Sequence, residues 1–158
     1  MAKPRVAVHK FSSCDGCQLA LLNAGEALLQ IASLVDIVHF AEAGPVDPDA
    51  PVDVAFVEGS ISTLEEAERI RAVRARSTYL VSIGACGTAR GIQALRNLHD
   101  TQAGGGAVYA SPQYISTLDM VSPIAANVKV DLELWGCPVN GRQVIGSLRA
   151  LLFVVVPP

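Results

Sequence analysis

Sulfur is the chemistry this sequence offers. Its 158 residues include four cysteines, and glycine adjoins each cysteine motif. Cys14 and Cys17 lie in Ser13-Cys14-Asp15-Gly16-Cys17-Gln18, where a first strand gives way to a first helix. Cys86 lies in Gly84-Ala85-Cys86-Gly87, behind the strand-like Tyr79 to Ile83, and Cys137 lies in Gly136-Cys137-Pro138, behind Val128 to Trp135. Three strand ends therefore carry all the thiols. In an open parallel sheet the carboxyl ends of the strands share one edge, which is where such folds hold ligands. Four thiolates gathered there form a tetrahedral sulfur site, suited to an iron-sulfur cluster or to zinc.

Four readings of these thiols compete. Cys14 and Cys17 fit the C-x-x-C of a thioredoxin-like dithiol, which leaves Cys86 and Cys137 without a role. Structural zinc usually takes two close pairs, whereas this sequence offers one pair and two singles. Free cysteine is among the most buried residue types, so inert packing is the bland alternative. A cluster uses all four thiols, and spacing and placement favour it. The glycines fit that reading, because close wrapping of backbone and amide N–H groups aimed at sulfur both need residues without side chains; taken singly, each glycine only makes a strand-to-helix turn. Pro138 fixes the chain direction on leaving the site.

Other chemistries are poorly served. No G-x-x-x-x-G-K-[ST] phosphate loop occurs, and Gly84-Ala85-Cys86-Gly87 is not a dinucleotide fingerprint. The first loop holds cysteines where a flavodoxin presents hydroxyls and amides to a flavin phosphate. His9 and His39 fall inside strand runs and read as packed core residues, and His99 reads as a loop residue. No Ser-His-Asp set can be assembled.

The elements that must position the thiols follow from periodicity. Val6 to Phe11, Leu34 to Phe40, Val52 to Val57, Thr78 to Ile83 and Val128 to Leu134 read as strands. Between them the spacing predicts a helix over Gln18 to Ile31, with Leu19, Leu22 and Leu29 on one face. A second runs from Ser62 or Thr63 to Arg76, opened by capping-box spacing to Glu65 or Glu66, and further helices cover about Thr88 to Leu98 and Gly141 to Phe153. Gly44-Pro45 and Asp47-Pro48-Asp49 are turn signals, Ser122-Pro123 opens a short helix, and His99 to Ser111, with Gly104-Gly105-Gly106, reads as a mobile loop. Strands alternating with helices predict an α/β fold, a flavodoxin-like doubly wound parallel sheet, in one unit spanning residues 1–158.

Composition sets the surroundings. Hydrophobic residues make up 51% and charged residues only 17%, below the roughly 25% of an ordinary soluble domain, so either the sheet is buried on both faces or apolar surface meets another protein. The apolar end, Leu151 to Pro158, is expected to pack on a partner or to continue into further chain. A net charge of −3 gives no general attraction to nucleic acid. No apolar run reaches the roughly 20 residues of a membrane span. The sparse cysteines and the lack of a leader before Val6 predict a reducing, cytoplasmic location.

Ser12 to Leu19, Val57-Glu58-Gly59-Ser60, Gly84 to Gly87, Gln93-Ala94-Leu95-Arg96-Asn97 and Trp135 to Pro138 together resemble the small, or delta, subunit of cytosolic nickel-iron hydrogenases of the sulfhydrogenase and NADP-linked bidirectional type. The resemblance covers nearly the whole chain. It implies that Cys14, Cys17, Cys86 and Cys137 hold a proximal 4Fe-4S cluster, that a large subunit carries the nickel-iron centre, and that electrons pass onward to iron-sulfur and flavin subunits that use NAD(P). Glu58 is expected on the same sheet edge, as a buried proton relay or as a solvated or helix-capping acid; Arg90 and Arg96 are expected to pair with the partner or the cluster, or to be surface charges. The related subunit of respiratory complex I has adjacent cysteines in its first motif, so Cys14-Asp15-Gly16-Cys17 favours the hydrogenase side. Sulfhydrogenase delta subunits continue into a second cysteine-rich segment that is absent from this sequence. A complex I-like subunit and a zinc or metal-free scaffold remain the alternatives.

Overall fold

A computed structural model of the chain describes residues 2–44 and 46–153. Pro45 of the first turn signal, and the apolar end beyond Phe153, lie outside the described residues. Five strands, β1 (Arg5–Lys10), β2 (Asp36–Phe40), β3 (Val52–Glu58), β4 (Ser77–Ile83) and β5 (Leu132–Leu134), form one sheet in the order β2-β1-β3-β4-β5. All neighbours are parallel. This is the flavodoxin strand order, whose direction reverses beside β1 and β3.

The central strands are apolar on both faces. Val8, Phe56, Val81 and Ile83 face one core, covered by α1 (Gly16–Leu22), α2 (Glu26–Leu34) and α6 (Gly141–Phe153). Ala55, Val57 and Leu80 face the other, where Ile70 and Val73 of α3 (Leu64–Ala75) pack. Helix α3 starts at the expected capping box: the Thr63 hydroxyl accepts from the Glu66 N–H, and the Glu66 side chain accepts from the Thr63 N–H.

Four elements depart from the sequence reading, each for a local reason. The helix expected over Gln18 to Ile31 is two helices, bent by 85°. The break falls at Asn23-Ala24-Gly25, where Gly25 has φ 58°. The bend turns Cys17, Gln18, Leu21 and Ile31 inward and leaves Leu19 and Leu29 exposed. The helix expected over Thr88 to Leu98 is instead α4 (Gly84–Ala89) followed by a 3-10 segment, Gly91–Leu98, because Arg90 and Gly91 both adopt positive φ. The loop expected over His99 to Ser111 contains a helix, α5 (Thr101–Val108), nucleated by the Asp100 carboxylate, which accepts from the Gln102 and Ala103 amides. Strand β5 is shorter than expected: the Asp131 carboxylate takes the Leu80 N–H at 2.9 Å and pairs with Arg74. Val128 and Val130 therefore pack on the α3 side instead of extending the ladder.

His9 and His39 are buried and face each other with ring centroids 4.8 Å apart, as their strand positions predict. Burial above all, with His39 and Arg69 nearby, lowers His9 to about 3. A histidine held neutral in the folded state and free to protonate near 6.5 in the unfolded chain stabilises fully above that pH and loses its contribution as pH falls toward 3. Stability should therefore drop between pH 6.5 and 5 by up to about 2 kcal/mol from His9 alone, at about 1.4 kcal/mol per pH unit. Urea midpoints at the two pH values should show the fall, and His9→Gln should flatten it; an equal slope in the variant would assign the fall elsewhere.

Candidate metal centre

The cysteine motifs leave the sheet side by side. β1 ends at Lys10 before the Cys14 loop, β4 runs straight into α4 with Cys86 in its first turn, and β5 is followed by Gly136-Cys137-Pro138. Backbone hydrogen bonds join these loops. The Ala85 N–H donates to the Gly136 carbonyl at 2.7 Å, and the Val139 N–H points at Cys17 Sγ at 3.4 Å. Neighbouring sulfurs also bear on Cys17 and Cys86. Burial pushes the Cys17 thiol up to about 11; the Val139 N–H opposes the rise, while Glu58, Cys86 and Cys137 add to it. Burial likewise raises Cys86, with Gln93 opposing and Cys14, Cys137 and Glu58 adding. Left to themselves, these buried sulfurs are thiols at neutral pH, and a bound metal must displace their protons.

Glycine gives the sulfurs their room. A Cβ at Gly84, which has φ +77°, would overlap Cys17 Sγ. One at Gly91 would stand 2.5 Å from Cys86 Sγ, and one at Gly16 would stand 3.3 Å from Cys14 Sγ. Three of the four sulfurs are thus bordered by a glycine whose missing side chain is the space they use. Gly16 was legible beside its own cysteine, whereas Gly84 stands near Cys86 in sequence but borders Cys17 in space. Gly91 was not legible, because it serves Cys86 only through a turn that periodicity does not reveal.

Among the described residues no three His, Cys, Asp or Glu side chains converge as ligands of a single ion. A mononuclear thiolate site needs every sulfur about 2.3 Å from one centre, whereas a 4Fe-4S cluster takes four cysteine thiolates around a larger body. The donor set, all thiol, and the glycine-lined walls fit the second kind of group. Cys17 is buried, Cys86 is partly buried, and Cys14 and Cys137 are exposed.

Glu58 sits beneath this edge with 1% of its surface exposed. Its carboxylate oxygens accept the Cys17 N–H at 3.1 Å and the Gln18 N–H at 3.2 Å, so it caps the first turn of α1 from a neighbouring strand. Burial raises its pKa, and the two amides oppose the rise. Of its two expected roles, the geometry displays the helix-capping one. The Gln18 side-chain amide is buried beside it and opposes the rise as well. Arg96 contacts the Thr117 hydroxyl at 2.6 Å and the Ser62 carbonyl at 3.4 Å, and Arg90 is exposed. Gln93, to which the sequence assigns no task of its own, lies 3.5 Å from Cys86 Sγ.

Cysteine motifs on the carboxyl edge of a five-stranded parallel sheet of order β2-β1-β3-β4-β5 define a flavodoxin-like α/β architecture. Residues 14–151 match the sequence profile of the NADH ubiquinone oxidoreductase 20 Kd subunit family, and the chain belongs to that family. It is 29% identical over 144 residues to sulfhydrogenase 2 subunit delta of Pyrococcus furiosus, covering 91% of this chain and 60% of that subunit. It is 26% identical over 165 residues to NAD-reducing hydrogenase HoxS subunit delta of Cupriavidus necator, covering 95% and 79%. A chain in the crystal structure of an NAD+-reducing NiFe-hydrogenase in the H2-reduced state superposes with a TM-score of 0.86 at 27% identity, covering 95% of this chain and 91% of that chain. The chain spans 60% of the Pyrococcus subunit and 56% of a similar subunit from an F420-non-reducing hydrogenase of Methanocaldococcus jannaschii.

Proposed function

We propose that this chain is the electron-transfer small subunit of a nickel-iron hydrogenase, and that Cys14, Cys17, Cys86 and Cys137 hold one 4Fe-4S cluster. The observation that carries the reading is the glycine-bordered gathering of the cysteine motifs at one sheet edge. The family match and the hydrogenase subunits among its relatives point the same way. When bound, the cluster would supply one-electron chemistry; the protein sets its position, burial and hydrogen bonds, and through them its potential.

A large subunit would hold the nickel-iron centre and cover the sulfur edge. Exposed apolar side chains flank each cysteine motif: Leu19 beside the first, Ile92 and Leu95 beyond the second and Trp135 before the third, with Ile92 78% and Trp135 58% exposed. Such a rim suits burial against another subunit. Electrons would continue to iron-sulfur and flavin subunits that use NAD(P). We read residues 1–158 as one flavodoxin-like unit working in the cytoplasm; among the described residues no single helix is long and apolar enough to cross a membrane.

Anaerobic purification of the complex followed by iron, sulfide and low-temperature EPR analysis tests the reading. About four iron and four sulfide assignable to this chain are expected, with both lost in Cys86→Ala. One zinc per chain would instead indicate a scaffold, and copurification with membrane-arm subunits in place of a nickel protein would indicate a complex I-like role.

A further inference from the structure

After α4 the chain reverses through Arg90 at φ 76° and Gly91 at φ 61°. This reversal lays the Gln93 side chain between two cysteine motifs. Gln93 Oε1 lies 3.5 Å from Cys86 Sγ, and Gln93 Nε2 donates to the Ser12 carbonyl at 2.6 Å. A Cβ at Gly91 would stand 2.5 Å from the sulfur and 2.8 Å from that amide oxygen, so the turn brings both atoms into the space the glycine leaves. The other end of the 3-10 segment is pinned as well, because the Asn97 side chain donates to the Val121 carbonyl at 2.9 Å and accepts from its N–H at 2.7 Å.

A protonated Cys86 can donate its S–H to Gln93 Oε1. Iron ligation removes that proton to solvent and leaves a sulfur that can only accept. An amide oxygen facing it would then be repelled, whereas the same amide turned about its terminal torsion presents an N–H. The turned amide points Oε1 toward the Ser12 carbonyl, so the side chain must also draw back from Ser12, whose carbonyl keeps the Ser60 N–H at 2.9 Å and the Ser60 hydroxyl at 3.3 Å. We propose that the Gln93 amide donates a hydrogen bond to the iron-bound Cys86 sulfur and thereby raises the reduction potential of the cluster. The inference rests on the cluster reading above. Gln93 is a positioning residue in this scheme, favouring the more negative, reduced state through a donor to sulfur.

The test is an EPR-monitored redox titration of the whole anaerobic complex, with iron content measured in parallel, for wild type, Gln93→Met and Gln93→Glu. Methionine keeps the length and removes the donor; glutamate replaces it with an acceptor. At fixed potential the reduced-to-oxidised ratio should fall about tenfold in Gln93→Met, equivalent to about 59 mV for a one-electron couple, and further in Gln93→Glu, with iron content retained. An iron-loaded Gln93→Met with the wild-type potential would overturn the proposal. So would loss of iron in both variants, which would make Gln93 an assembly residue only. Absence of iron from the wild type would instead strike the cluster reading itself.

Discussion

Gly84→Ala should empty the site and destabilise the chain by about 2–5 kcal/mol, the sum of a left-handed backbone penalty and an overpacked interior. Gly84 has φ +77°, a region costly for any residue with a Cβ, and the new methyl group would overlap Cys17 Sγ while touching the Gly136 carbonyl oxygen at 3.6 Å. Cys17 cannot yield easily, because its N–H is held by Glu58 and Val139 lies against its sulfur. Urea denaturation of the chain and iron analysis of the complex would read the two effects separately. A useful control is Gly104→Ala in α5, where an added Cβ meets nothing within 4 Å. That change should be neutral or stabilising by up to about 1 kcal/mol, as for alanine in place of glycine within a helix. Equal behaviour of the two variants would show that Gly84 does not border the sulfur tightly.

Glu58→Ala should cost about 2–4 kcal/mol, because it strands the buried N–H groups of Cys17 and Gln18, each at about 1–3 kcal/mol less whatever water recovers. Glu58→Gln retains one acceptor oxygen and turns an NH2 toward the other N–H, so by the same reasoning it should cost about 1–3 kcal/mol, less than the alanine variant. The pair of variants also separates the two roles open to this acid. A capping acid predicts that Glu58→Gln is more stable than Glu58→Ala and leaves hydrogen turnover unchanged. A proton relay predicts that turnover collapses in the Glu58→Gln complex even where the fold is intact. Denaturation midpoints and turnover measured on the same preparations would decide between them.

The large features of the fold were legible because they follow from local pattern. Apolar, β-branched runs marked every strand that leads to a cysteine, and Thr63 with Glu66 marked the start of α3. What the sequence concealed depends on geometry at single residues. Gly25 stood in a helical pattern with no outward sign that its backbone would turn the chain by 85°, and so Leu19, expected on a packed face, is exposed while Leu21 is buried. Three consecutive glycines pointed to a loop, although the Asp100 carboxylate with two amides in reach was enough to start α5. The four cysteines could be singled out as candidate ligands from their motifs, whereas Gln93, 81 residues from Ser12 in sequence, could be placed only once the reversal at Arg90 and Gly91 was seen.

The hydrogen bond from Val139 to Cys17 joins residues 122 positions apart. Its span bears on the order of events while the protein is being made. Cys14 and Cys17 leave the ribosome early, yet the third and fourth sulfurs arrive only with β4 and with the loop after β5. Any group that needs all four must therefore wait until the loop after β5 has been synthesised and the sheet has closed. On the cluster reading proposed above, iron and sulfide would reach this chain only after that point, and a nascent chain halted before Cys137 should carry no complete site.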